Sequence, residues 1–173
     1  MPVFAPSDLF AYLDKLGIAH DTTEHPATFS VAESGPIKAS IPGAHSKNLF
    51  VKDKKGRIFL ITAKDETRID LKRAHETVGG SGRLSFCSAE QLQHYLGVEP
   101  GSVTPFGAVN DTERKVTVIL DSVLMSYERV NFHPLVNTMT TGLSREDLVL
   151  FLQATGHEPR ILDLPVPPDE NLA

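Results

Sequence analysis

The sequence has no tryptophan and a single cysteine, Cys87. One cysteine excludes an intramolecular disulfide and any zinc site built from several thiolates, and it points to a reducing compartment, the cytoplasm. No apolar run approaches the roughly 18 residues that span a bilayer, so no membrane partner is expected. The opening Met1-Pro2-Val3-Phe4-Ala5-Pro6 lacks the basic stretch that begins a secretory signal. Standard signatures are missing too. There is no Gly-x-x-x-x-Gly-Lys phosphate loop, no Gly-x-Gly-x-x-Gly fingerprint, no His-Glu-x-x-His helix and no Gly-x-Ser-x-Gly elbow. The seven histidines (His20, His25, His45, His75, His94, His133, His157) are scattered, none at metal spacing on a convincing element. Neither a metal nor another cofactor is therefore expected.

What is present suits one globular domain: 173 residues, 40% hydrophobic and 23% charged. Net charge is −5, which argues against bulk nucleic-acid binding. The charge is unevenly spread. Lys38 to Arg83 holds 11 Lys and Arg against 5 Asp and Glu, leaving 6 basic and 17 acidic residues elsewhere. That split predicts either a basic face on an acidic body or a merely Lys-rich solvated surface.

Local patterns set the elements. Ser7 or Asp8 caps a first helix with Leu9, Phe10, Leu13 and Leu16 in one stripe, stopped by Gly17. An extended segment runs from Ile18 to Glu24 and ends at His25-Pro26. Residues 30–40 are helix-like but interrupted by Gly35-Pro36. Asn48 to Lys52 and Arg57 to Ala63 form a hairpin across Asp53-Lys54-Lys55-Gly56. A helix is expected over 70–78, and a strand over 84–87. Ser88 with Gln91 is a capping box for a helix ending near Gly97. Residues 100–107 read as a loop, 115–120 as a strong strand and 129–132 as a weaker one. Ser144 caps the last long helix, and 160–164 reads as a final strand. The order predicts an α+β domain over 1–164 with a central mixed sheet, then a flexible tail over 165–173.

Three places carry candidate chemistry. In Lys47-Asn48-Leu49-Phe50-Val51-Lys52, alternation sets Lys47 on one face with Leu49 and Val51, and Asn48 on the other with Phe50. Lys47 there holds a phosphate or carboxylate, or simply snorkels to solvent. His133, between Asn131-Phe132 and Pro134, positions a water or a sugar hydroxyl, or caps a turn. The loop Gly101-Ser102-Val103-Thr104-Pro105 aims backbone groups at a ligand, or is ordinary surface. Arg83 is a phosphate contact or a solvated strand start. Cys87, after Phe86 in an apolar strand, reads as core rather than nucleophile.

Taken together, Lys47-Asn48-Leu49-Phe50, the Gly80 to Phe86 stretch, the Gly101 to Pro105 loop and Asn131-Phe132-His133-Pro134 resemble, in order and spacing, the YbaK/aminoacyl-tRNA deacylase family. The match is nearest its free-standing, prolyl-tRNA-synthetase-associated (ProX-type) branch and spans Leu9 to about Ile161. The resemblance implies a mixed, partly closed sheet surrounded by helices. It also implies hydrolysis in trans of the ester on a mischarged tRNA, Ala-tRNA-Pro. It implies Lys47, Gly101 and His133 as catalytic residues, and Asn48, Arg83 and Pro105 as substrate contacts. Partners would be the acceptor end of tRNA-Pro and prolyl-tRNA synthetase. The basic Lys52 to Arg57 and Lys64 to Arg73 segments would guide the acceptor stem. A pocket that admits alanine and rejects proline must be small, and Ile18, Phe29 and Val31 are the residues expected to line it. Serine or another small amino acid is an alternative substrate. The rival reading is a non-catalytic module of the same fold that binds nucleic acid or the synthetase.

Overall fold

Two apolar runs anchor the sheet. Phe50-Val51 and Ile58-Phe59-Leu60-Ile61 are buried on both faces, so both runs need cover above and below. The computed structural model describes residues 3–28 and 31–168. Its elements in chain order are α1 (Pro6–Lys15), β1 (Asp21–Glu24), α2 (Val31–Ser40), β2 (Ala44–Lys52) and β3 (Ile58–Lys64). Then come α3 (Ala74–Val78), β4 (Ser85–Phe86), α4 (Ala89–Leu96), β5 (Val116–Asp121), β6 (Arg129–Phe132), β7 (Met139–Ser144), α5 (Arg145–Ala154) and β8 (Arg160–Leu162). Short 3-10 turns occupy Pro105–Asn110 and Leu124–Ser126.

The strands form one mixed sheet in the order β1-β7-β6-β2-β3-β5-β8, with β4 beside β2. Three pairs are parallel: β2 with β6, β3 with β5, and β5 with β8. β2 is the shared strand. Ala44 and His45 pair with β6, Val51 and Lys52 pair with β4, and Ser46 to Lys52 pair with β3. Leu60, Val118 and Leu120 from one half meet Val130, Phe132 and Leu143 from the other in a single core with α1, α4 and α5. The sheet therefore wraps partway around that core, giving the expected single mixed α+β domain. Phe106 sits at its centre, edge-on to Phe132 at 5.8 Å and Phe151 at 5.4 Å. A smaller cluster covers the opposite face, where Val51, Phe59, Ile61 and Ile119 pack under Ala74, Val78 and Leu164. No helix among the described residues is long and apolar enough to cross a membrane.

Some local expectations need revision. The first helix starts at Pro6, and neither Ser7 nor Asp8 is its cap. Asp8 sits in the first turn and accepts the Ala5 N–H at 2.8 Å. α2 runs straight through Pro36, which removes one rung of the ladder without ending the helix. The helix expected from Asp70 is only Ala74–Val78, because Asp70 builds a turn instead, its carboxylate accepting the Lys72 N–H at 3.1 Å. Residues 139–144, unassigned in the sequence reading, form β7 between β1 and β6. At the C-terminal end the Pro165 carbonyl accepts the Asp70 N–H at 2.7 Å. Residues 169–173 of the expected tail lie outside the described residues.

The β2–β3 turn is held by one carboxylate. Asp53 accepts the backbone N–H groups of Lys55, Arg57 and Ser81, each at 2.9 Å, and the Arg57 Nε at 2.8 Å. Burial pushes its pKa up, but these donors outweigh burial and bring it to about 2. Asp53→Asn turns one acceptor into a donor that faces donors. It should lower the thermal midpoint by roughly 5–10 °C. A folded pKa below the unfolded one gives stability that is present above the unfolded value of 3.8 and lost as pH falls through about 2. Acid melts from pH 5 to pH 2 should therefore bring wild type and variant together only at the acid end.

Candidate active site

The site lies where β2 and β6 run side by side. Here a cleft of about 580 Å³ opens between the end of β1, α2, the 101 loop and β6–β7. α2 presents Ser34, Ile37 and Lys38 to it, one helical face at i, i+3 and i+4. β2 supplies His45 and Ser46, and the loop supplies Gly101. Asn131, Phe132 and His133 come from β6 and its end, and Thr140 from β7. His25 and Thr28 close the side next to β1.

His133 is the best-defined group. Its Nδ1 lies 3.0 Å from the Met139 carbonyl, which can only accept, so Nδ1 carries the hydrogen. Neutral His133 therefore presents an Nε2 lone pair. The ring is oriented by a tight turn in which the Leu135 N–H donates to the His133 carbonyl at 3.0 Å. Leu135 takes φ 72°, a left-handed conformation that costs a non-glycine residue about 1 kcal/mol or more. Burial lowers the His133 pKa from 6.5. The Met139 hydrogen bond opposes this, while His25 and Lys38 add to the lowering.

His25 faces His133 with ring centroids 6.4 Å apart. It is fixed by Thr140 Oγ1 at 2.8 Å from Nε2 and by the Pro26 carbonyl at 3.0 Å from Nδ1. Lys38 is held by Asp65 at 2.8 Å. Asn131 is buried and donates to the Pro42 and Ala44 carbonyls, while its Oδ1 has no partner among the described residues. Gly142, its ladder partner, must be glycine, since a Cβ there would fall 2.6 Å from Asn131 Oδ1 and 2.3 Å from Arg129 Nη2.

The expected site residues fall into different places. Gly101 and His133 line the cleft together. Gly101 has φ 91°, and a Cβ there would meet nothing nearer than 3.5 Å, so its conformation rather than crowding calls for glycine. Asn48 stands one step behind the cleft. Thr62 Oγ1 donates to Asn48 Oδ1 at 2.7 Å, Asn48 Nδ2 to Ser46 Oγ at 3.3 Å, and Ser46 to the Asn131 carbonyl at 2.9 Å. Lys47 is half-buried on the other face of β2. Burial lowers its pKa, and Asp65, the partner of Lys38, partly offsets that. It thus shares a carboxylate with the cleft without being among the side chains that line it. Pro105 is buried at the start of a 3-10 turn whose next residue, Phe106, backs Phe132. It supports the site from behind.

Arg83 and Ile18 are not brought to the cleft. Arg83 is exposed beside β4, at the far end of β2, six residues along the strand from Ser46 and so about 20 Å away. Ile18 is a core residue that borders a second hollow of about 620 Å³ with Asp14, His20, Arg129 and Asp147. Phe29 lies outside the described residues. Val31 opens α2. The Cys87 thiol is half-buried against the main core, and burial, slightly opposed by Lys52, pushes it up to about 11. It is an inert core group. His25, Lys38 and Thr140 were missed from the sequence. One signal was available for His25, which like His133 stands directly before a proline.

The architecture is that of a mixed α+β domain with a histidine-lined cleft where β2 and β6 run side by side. Residues 25–151 match the model of the aminoacyl-tRNA editing domain. The chain belongs to that family, as its four motifs implied. It is 39% identical over 167 residues to a mouse protein called prolyl-tRNA synthetase associated domain-containing protein 1, covering 92% of this chain and 98% of that one. It is 36% identical over 165 residues to the prolyl-tRNA editing protein ProX of Acetoanaerobium sticklandii, covering 95% and 100%. A solved structure assigned as a candidate trans-editing enzyme for prolyl tRNA synthetase superposes with TM-score 0.67 at 22% identity, over 95% and 100% of the two chains, which establishes the shared fold.

Proposed function

We propose that this protein is a trans-acting aminoacyl-tRNA deacylase of the cytoplasm that hydrolyses the ester of mischarged tRNA, with Ala-tRNA-Pro as substrate and prolyl-tRNA synthetase as a neighbour in the cell. One observation carries the reading: in a small cleft beside Gly101, the neutral His133 ring offers an Nε2 lone pair, its Nδ1 hydrogen being committed to a carbonyl. An aminoacyl ester is already activated. Its hydrolysis needs a positioned water and a stabilised oxyanion more than a strong nucleophile.

In this mechanism the water oxygen bonds to the ester carbonyl carbon while the bond to the ribose oxygen breaks. The proton that leaves the water ends on the ribose oxygen. The Gly101 carbonyl orients the water. His133 Nε2 accepts a hydrogen bond from the water or from the vicinal ribose hydroxyl through which the proton passes. Asn48 acts through Ser46 to hold the β2–β6 edge of the cleft. Lys47 anchors the terminal phosphate at the rim.

Hydrolysis then depends on unprotonated His133. Because burial and the charges of His25 and Lys38 lower its pKa, the acid limb of kcat/KM should lie below pH 6.5. Lys38→Gln should move that limb upward, as a pH–rate series on both proteins would show. A limb above 6.5 in wild type would remove His133 from this role. Substrate choice is tested by incubating the protein with Ala-tRNA-Pro and Pro-tRNA-Pro and following ester loss. Rapid loss from the first alone supports the reading. Tight tRNA binding with loss from neither points to a non-catalytic module.

A further inference from the structure

Phe86 is 61% exposed on β4. A large aromatic ring on a two-residue strand beside β2 costs apolar hydration and adds little to the core. Its surroundings are basic. Lys52 pairs in register with Ser85, next to Phe86, and Arg83 precedes the strand. Lys54 lies against Gly82, its Cδ 2.5 Å from where a Cβ would stand there, and its N–H donates to the Ser81 carbonyl at 2.9 Å. Lys55 follows in the same exposed turn. Against these cations stand Glu90 in the first turn of α4 and Asp53, the latter committed to Arg57. An exposed ring among cations is the combination that binds nucleic acid by stacking and phosphate contact.

The position of the patch is specific. β2 runs from the cleft to Phe86: Ser46 lines the cleft, and Val51 is the register partner of Phe86. Five residues at about 3.3 Å each separate them by about 17 Å. Between the β6 pairing at His45 and the β4 pairing at Val51, residues 46–50 have register partners only in β3 among the described residues, and the Phe50 carbonyl already accepts the Cys87 N–H beside β4 at 3.0 Å. Lys47 lies within that stretch. The roughly four unpaired nucleotides at the 3′ end of a tRNA cover about 14 Å when stacked, at about 3.4 Å each, and somewhat more when drawn out. With the terminal adenosine in the cleft, the first base pair of the acceptor helix arrives at Phe86.

We propose that Phe86 is a stacking platform for the exposed end of the acceptor duplex, with Arg83 and Lys52 on the flanking phosphates, so that the strand between cleft and ring measures the length of the unpaired 3′ end. This inference rests on the deacylase reading for its orientation. The full-length protein and its Phe86→Ala and Phe86→Tyr variants are compared on alanylated tRNA-Pro and on an alanylated 3′-terminal trinucleotide too short to reach the ring. Binding of uncharged tRNA-Pro is followed by fluorescence anisotropy. Phe86→Ala should raise KM for the tRNA and weaken uncharged tRNA binding, each about tenfold. It should leave kcat and trinucleotide hydrolysis unchanged, and Phe86→Tyr should stay near wild type. An equal loss on both substrates, or no loss on the tRNA, overturns the platform. If wild type cleaves neither substrate, the deacylase reading falls and the anisotropy arm still decides: tenfold weaker binding supports the platform, and unchanged binding overturns it.

Discussion

His133→Ala should lower kcat for Ala-tRNA-Pro by about 10²–10⁴-fold, the range for removing a positioned proton-transfer group. KM should change little, because the anchoring charge lies elsewhere. Among the described residues the ring makes one hydrogen bond, to the Met139 carbonyl. Its loss should cost the fold roughly 1 kcal/mol, and the protein should remain folded in a thermal melt. His133→Asn is the informative companion. It can restore a donor toward the carbonyl but offers no imidazole Nε2, so it should stay slow. Single-turnover rates on prebound substrate separate the chemical step from binding. A rate within tenfold of wild type would leave His133 as a turn-fixing residue only.

Lys47→Ala should abolish measurable deacylation while leaving the fold intact. The lysine stands on β2 one residue from Ser46, and burial already disfavours its charge. A half-buried ammonium gains most from an anion that arrives with the substrate. Removing it withdraws the anchor for the terminal phosphate, so kcat/KM should fall by at least about 100-fold, the cost of losing a charge-assisted contact of roughly 3 kcal/mol. Lys47→Arg should recover only part of this, since a planar fork replaces a point charge. Full activity in Lys47→Ala, measured under kcat/KM conditions, would sink the assignment of Lys47.

Much of the fold could be read in advance where one rule acted alone. The Ser88–Gln91 capping box closes reciprocally, with the Gln91 N–H to Ser88 Oγ at 3.1 Å and the Ser88 N–H to Gln91 Oε1 at 2.9 Å. The 48–52 and 57–63 runs pair as a hairpin because their apolar content leaves no other burial. β7 was illegible for the opposite reason. Met-Thr-Thr-Gly-Leu-Ser shows no strong alternation, and it becomes a strand because β1 and β6 flank it on both sides. Its Gly142, a strand breaker in isolation, is what lets Arg129 and Asn131 lie close over it.

The cleft was half legible. Gly101 and His133 carried motif and conformational signals, and both line it. His25 and Lys38 approach His133 only through tertiary folding, and no local period marks them. Arg83, at a strand start after Gly82, reads as a phosphate contact, and the resemblance implies it as a substrate contact. Strand register instead sets it at the opposite end of β2, where the sequence could not place it.

The central claim is that the His133 cleft holds the aminoacyl-adenosine end of the substrate. It is tested most directly by titrating the protein with 3′-alanylamino-3′-deoxyadenosine, an amide that cannot be hydrolysed as the ester is, and following the imidazole resonances by NMR. The account predicts saturable shifts at His133 and His25, with His20 of the second hollow and His94 of α4 unmoved. Saturable binding that moves His20 and leaves His133 unchanged would contradict it.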